Sequence, residues 1–338
     1  MVAASRFLLA RVALAVLSLW GVSILVFVIL RIVPGDPALL MAPVGATAED
    51  LERIRRDFGL AGPWWVQYGA FLGHLLRGRF GRSLWLQQDA LRVILDRLPA
   101  TLELSLAALV IALVMGLGLG VLSVWRRRSW LETGTVCLGT LGIAVPNFVW
   151  GLLLIVLFGA FMQVLPISGR IAAEYQGAER TGSALLDAAL GGEAAALASV
   201  LAHLFLPASA LALPLLAAVF RTVRSDLLTA LREDYVTTER MKGLGEASIL
   251  FRRVLKNALI PTTTLVGVQF GFVIGGTVLI ETIFAWPGIG QLTLQAFQYR
   301  DFPLIQGIVM VYAVLVIASN VAVDLVYGAL DPRVRPSA

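Results

Sequence analysis

Residues 233–261 read EDYVTTERMKGLGEASILFRRVLKNALIP. Eight basic side chains fall between Arg221 and Lys256, yet the flanking runs 194–220 and 257–280 carry no Asp, Glu, Lys or Arg. About 20 apolar helical residues cross the hydrocarbon of a bilayer, so each flank is long enough to span it. The charged stretch therefore reads as a water-exposed connection between two spans. Leu227, Leu228, Leu231 and Tyr235 keep helical spacing, which predicts that the preceding span continues beyond the membrane. Gly243 and Gly245 interrupt it, Gly243 suiting the left-handed position after a helix end. Ala247, Leu250, Phe251, Val254, Leu255 and Ala258 then form an i, i+3, i+4, i+7, i+8, i+11 stripe opposite Arg252, Arg253 and Lys256. The expectation is two short helices joined by a glycine elbow. Such an element fits a protein groove or an anionic lipid surface equally well.

Composition extends the reading to the whole chain. Of 338 residues, 58% are hydrophobic and 14% charged, with a mean hydropathy of +0.84, which marks an integral membrane protein. Continuous rather than alternating apolar runs at 12–30, 104–125, 133–169, 194–220, 257–280 and 302–323 predict an all-α membrane protein with six transmembrane helices. The third run is too long for one straight span, so a helix kinked at Pro146 and ending near Leu165 is expected; Pro207 and Pro214 invite kinks in the fourth. Arg6 and Arg11 precede the first run, but RIVPGDP follows it instead of a small-residue cleavage site, so it reads as a retained helix. The single cysteine, Cys137, excludes a disulfide framework and a cysteine-based metal site.

Short connections set the orientation. Arg126–Arg128, the basic run from Arg221 to Lys256, and Arg333 and Arg335 fall on one side of six spans together with Arg6 and Arg11, which places both termini in the cytoplasm. The net charge of +5 is thus a matter of topology, and nucleic-acid binding has no support. Polar groups inside spans are costly and point to a pathway or to packing. Glu103, Asn147, Gln269, Asn320 and Asp324 are these candidates, with Asn320 and Asp324 on one face at i, i+4. Gly116, Gly118 and Gly120, and Gly271, Gly275 and Gly276, offer small faces for close helix packing or for a moving interface.

The segment resembles the cytoplasmic loop of ATP-binding-cassette importer permeases, and it is similar in detail to the dipeptide, oligopeptide and nickel branch: Asp-Tyr-Val, Lys-Gly, and an arginine-rich helix ending in Asn-Ala-Leu-Ile-Pro. VPGDPA (33–38), WVQYGAFLGHLLRGRFGRSL (65–84), RLPATLELSLAAL (97–109), PNFVWGLLLI (146–155), ETIFAWPGIGQL (281–292) and DLVYGALDPRVR (324–335) follow in that family's order. Glu239 and Met241 depart from the alanines usual before the loop glycine, and Lys256 stands where the wider superfamily places a proline.

The resemblance implies a type I ABC importer permease fold with a coupling-helix loop and a long periplasmic loop after helix 1. Residues 1–32 would hold the first span, 33–97 an extracytoplasmic region, 98–330 a five-helix core with the coupling loop at 221–258, and 331–338 a cytoplasmic tail. It also implies a second homologous permease, two ATP-binding subunits that carry ATP and magnesium, an extracytoplasmic substrate-binding protein and a bacterial inner membrane. A phosphate-binding loop needs Gly-Lys before Ser or Thr; the only lysines, Lys242 and Lys256, follow Met241 and Leu255, so no cofactor and no catalysis are expected in this chain. By likeness, Asp234, Tyr235, Thr238, Lys242 and Gly243 would contact the ATPase, and Glu281, Trp286, Pro287 and Gly288 would belong to the external gate or the binding-protein contact. Peptides are the expected cargo; nickel chelates, glutathione or sugars are compatible alternatives, and a secondary transporter is disfavoured because no inverted repeat of broken helices stands out. The stretch 171–198 has no assigned role.

Overall fold

A computed structural model describes residues 2–32, 38, 42, 45–57, 62–126, 130–175, 177 and 180–330. The expected loop at 33–37, the basic connection at 127–129, the tail at 331–338 and the side chain of Asp324 lie outside the described parts. The described chain is helical, with one isolated β-bridge between Arg82 and Asp89. Five helices are long and apolar enough to cross a membrane, and a bent pair makes a sixth span if counted as one. By internal contacts the chain forms two units, 1–101 with 287–317, and 102–286 with 318–338. The segment 287–317, expected within the five-helix core, thus packs with the N-terminal unit.

The first unit contains α1 (Val2–Ile32), α2 (Ala48–Asp57), α3 (Trp64–Leu76), the start of α4 (Ala90–Trp125), α11 (Ile289–Gln298) and the start of α12 (Phe302–Leu330). The expectation of a long loop after the first span missed α2 and α3. A capping box starts α2: Thr47 Oγ1 accepts from the Asp50 amide (3.2 Å), and the Asp50 carboxylate accepts from the Thr47 amide (3.0 Å). Bonds from Thr47 hold the Asp50 carboxyl below its ordinary value. In α3, Tyr68 meets Phe27 edge-on at 5.2 Å and shares a 2.8 Å hydrogen bond with Ser23, tying α3 to α1. Ala90, Ile94, Ile289, Leu292, Leu304 and Ile308 form the core of this unit. Fully buried Asp301 caps α12 by accepting from the Leu304 amide (3.2 Å), and also accepts from Ser83 Oγ (2.5 Å) and the Trp85 amide (3.1 Å).

In the second unit, α8 (Ala194–Ala230) is the hub. Its neighbours meet it through glycines. A Cβ on Gly116 of α4 would lie 2.9 Å from Val219, and one on Gly120 would lie 2.8 Å from Val223. A Cβ on Gly142 of α5 (Trp130–Ala144) would lie 2.7 Å from the Ala217 Cβ. The third span corrects the expectation of a single kinked helix. It breaks by 113° at Val145–Pro146 and resumes as α6 (Asn147–Leu154), which ends in a π-helical turn, Ile155–Phe161, short of Leu165. Pro146 has no N–H to donate and disfavours a helical conformation at Val145, and its exposed position offers no packing to hold the helix together. Pro207, buried within α8, and Pro99, within α4, are spanned by unbroken helix.

Candidate functional site

The charged connection folds as two helical pieces, with two departures from the expected pattern. First, α8 stops at Ala230 rather than running on through Tyr235. Glu233, in extended conformation (φ −70°, ψ 148°), starts a separate helix, α9 (Asp234–Met241), and Asp234 places negative charge on its first turn. Second, the arm beyond the elbow is not a short helix of its own. The turn Glu246–Ser248 passes through a π-helical segment, Ile249–Val254, directly into α10 (Leu255–Ile283). The wider π turn shifts the buried set to Ile249, Leu250 and Val254, so the α-spaced stripe fails there: Ala247 and Phe251 are exposed. Phe251 packs beside Trp125 with ring centroids 6.0 Å apart.

Gly243 is the elbow. Its φ of +80° is left-handed, its amide donates to the Arg240 carbonyl (2.9 Å), and the Leu244 amide donates back to Glu239 (3.3 Å), a Schellman cap. Arg240 clamps the far arm with two bonds to Glu246, at 2.7 and 3.1 Å. The bond from Arg240 holds the Glu246 carboxyl below its ordinary value against the opposing effect of desolvation. On α9, Val236 is fully buried, whereas Asp234, Thr238 and Lys242, spaced i, i+4, i+8, form one exposed face with Gly243 beside it. Tyr235 is half-buried, with its hydroxyl unpartnered among the described residues. Met241, 78% exposed, and Leu244 stand at the tip. Both were missed as contact candidates, although two apolar residues flanking a left-handed glycine inside a charged segment are a legible signal.

The other end of α10 leads to a second cluster. Arg170, singled out by no motif, donates to Glu103 Oε2 on α4 (2.5 Å) and to the Gly182 carbonyl (2.9 Å), and its guanidinium lies 5.8 Å from the Trp286 ring. Ser183 adds a 3.1 Å bond to the same Glu103 oxygen and accepts from the Leu186 amide (3.2 Å), capping α7 (Ala184–Gly191). The Gly169 amide donates to the Phe284 carbonyl (2.9 Å). Glu103, a candidate for a pathway or for packing, and Trp286, expected at the external gate or the binding-protein contact, are thus joined through Arg170. The segment 171–198 gains a structural role here: Asp187 accepts from Thr181 and from the Arg180 amide, folding the loop that carries Ser183. Burial pushes the Asp187 carboxyl up, but those bonds outweigh it and leave it below its ordinary value.

Glu281 and Trp286 have no exposed surface, so neither side chain can contact a binding protein in this conformation. Gly288 precedes α11, whose Ile289 amide donates to Thr101 Oγ1 (2.8 Å). Asn147 opens α6 and donates to the Gly276 carbonyl (3.3 Å), a contact that the missing Cβ of Gly276 permits. Gln269 is half-buried on α10 and Asn320 exposed on α12.

Residues 4–106 match a family described as the N-terminal membrane component of binding-protein-dependent transport systems, and residues 108–336 match the inner membrane component of those systems. The chain belongs to this family. The permease is 40% identical over 334 residues to the di/tripeptide transport system permease protein DppB of Pseudomonas aeruginosa, covering 97% of this chain and 98% of that one. It is 35% identical over 334 residues to the dipeptide transport system permease protein DppB of Escherichia coli, covering 98% of each, and 39% identical over 328 residues to a putative peptide transport system permease of Brucella abortus, covering 97% and 98%. Among solved structures, a chain of the MetNI methionine ABC transporter in inward-facing conformations superposes with a TM-score of 0.53 at 14% identity, covering 71% of this chain and 96% of that one, which establishes the shared fold. The permease is therefore a multi-pass inner-membrane protein and the membrane transport component of an ABC importer.

Proposed function

We propose that the permease translocates di- and oligopeptides inward, paired with a second homologous permease, and that two ATP-binding subunits bind and hydrolyse ATP with magnesium while gripping the elbow around α9. An extracytoplasmic binding protein delivers the peptide. The carrying observation is the elbow itself: an exposed, capped helix bonded through Arg240–Glu246 to an arm that runs unbroken into α10. At about 1.5 Å per residue, the 29 residues of α10 carry a displacement roughly 43 Å, from the elbow to the Glu281–Trp286 turn beside Arg170. A rigid-body shift of this rod is the kind of motion that opens a pathway alternately to each side. The buried ion pair suits a gate support, since Glu103 Oε1 and Arg170 Nε have no hydrogen-bond partner among the described residues and the pair is incompletely satisfied.

The basic connections favour cytoplasmic termini and elbow. The dipeptide permeases among the relatives support peptide cargo over nickel chelates, glutathione or sugars. Uptake of radiolabelled dipeptides by a strain lacking this gene, with and without the gene restored, tests the reading. Restored uptake that depends on a co-purifying ATPase supports it; uptake restored only for a sugar or a nickel chelate contradicts it.

A further inference from the structure

A groove of about 660 Å³ opens between α5 and the basic end of α8. Its composition changes along its length. Val136, Ile143 and Ala144 of α5 and Phe220, where the uncharged run of α8 stops, make the apolar wall; beyond Phe220 the α8 side is mainly polar, with Arg221, Arg224, Thr229 and Arg232 interrupted by Leu228. Phe220 to Ala230 is about 15 Å of helix rise, enough to reach from the edge of the hydrocarbon through the roughly 5–8 Å of one interfacial zone and into water. Glu132 of α5 reaches Arg224 as an ion pair. Arg221 and Arg232 have no ion-pair partner among the described residues, which leaves the groove two positive charges in excess.

We infer that this groove holds an anionic phospholipid, its head group on the arginine-lined stretch from Arg221 to Arg232 and an acyl chain along Ile143 and Phe220. The polarity gradient runs along the helix axis as the gradient of a lipid runs along the membrane normal. A free anion would leave the apolar end unfilled, and a peptide in transit would not match a gradient of this direction. Basic grooves between spans at the cytoplasmic surface recognise lipid head groups by this combination of charge and apolar wall. That the leaflet is the cytoplasmic one follows the orientation proposed above; the site itself does not depend on it.

The test uses the assembled transporter in phosphatidylcholine vesicles, with spin-labelled phosphatidylglycerol and spin-labelled phosphatidylcholine as probes. Motionally restricted signal should favour phosphatidylglycerol, and the double variant R221Q/R232Q should lower that preference by up to roughly thirtyfold. The variant R221K/R232K, which keeps both charges, should retain most of it and shows that charge, not folding, is read; the single variants R221Q and R232Q should each give an intermediate loss. No preference in the unaltered transporter, or a preference untouched by all of these variants, overturns the inference. So does displacement of the label by millimolar inorganic phosphate or a dipeptide, which would make the groove a site for soluble anions or for substrate.

Discussion

The glycines of MGLGLG in α4 make the most exacting prediction, because one of the three is its own control. An alanine Cβ at Gly116 would sit 2.9 Å from two Val219 atoms and 3.0 Å from the Leu216 carbonyl, and at Gly120 it would sit 2.8 Å from Val223, while at Gly118 nothing lies within 4 Å. Val219 and Val223 are fully buried and β-branched, so their rotamers cannot yield, and a carbonyl inside α8 can move only with its helix. Overpacking of this kind costs about 1–3 kcal/mol, offset by up to roughly 1 kcal/mol from replacing a helical glycine with alanine. Gly116→Ala should therefore destabilise by about 1–2 kcal/mol and Gly120→Ala by slightly less, whereas Gly118→Ala should be neutral or stabilising. Thermal unfolding of the purified transporter in detergent, followed through the permease, measures all three. Equal effects at the three positions would refute the claim that α4 and α8 meet through Gly116 and Gly120.

Removing Arg170 leaves Glu103 buried and uncompensated, so Arg170→Ala should cost about 3–5 kcal/mol. The double variant Glu103→Leu/Arg170→Leu should recover much of that loss, and a thermal double-mutant cycle reads the difference. Gly243→Ala meets no atom but forces alanine to φ +80°, costing about 1–2 kcal/mol locally; lower peptide uptake is expected, with Gly245→Ala unaffected because Gly245 has an ordinary φ of −68°. Since the Glu246 carboxyl is held below its ordinary 4.5, the Arg240–Glu246 pair contributes fully above that value and is lost as pH falls through the lowered one. Hydrogen-exchange protection at 243–246 should therefore be constant from about pH 5 to 8 in the unaltered chain and reduced across that range in Glu246→Gln.

The sequence announced the spans because lipid demands long uncharged helices, and it announced the elbow because only glycine takes φ +80° without strain. The Thr47–Asp50 cap is legible as well, as a threonine followed three residues later by a carboxylate. Other features depended on tertiary partners. Arg170 sits in an unremarkable loop, and its importance appears only when Glu103, Ser183 and Trp286 converge on it from distant segments. Pro146 breaks its helix whereas Pro207 does not, because buried neighbours surround one and not the other. The π turn at Ile249–Val254 shifted the buried face by a residue, which α-periodicity cannot anticipate.

The central claim is that α9 and its glycine elbow seat in the ATP-binding subunit. A photo-crosslinking amino acid at Met241, the exposed tip, tests it directly in the assembled, transport-competent complex, with the exposed Arg180 as the control position. The account predicts an adduct with the ATP-binding subunit from Met241 that changes in yield between nucleotide-free and ATP-trapped states, and none from Arg180. Transport-competent complexes giving no such adduct from Met241, or the same adduct from Arg180, would contradict it.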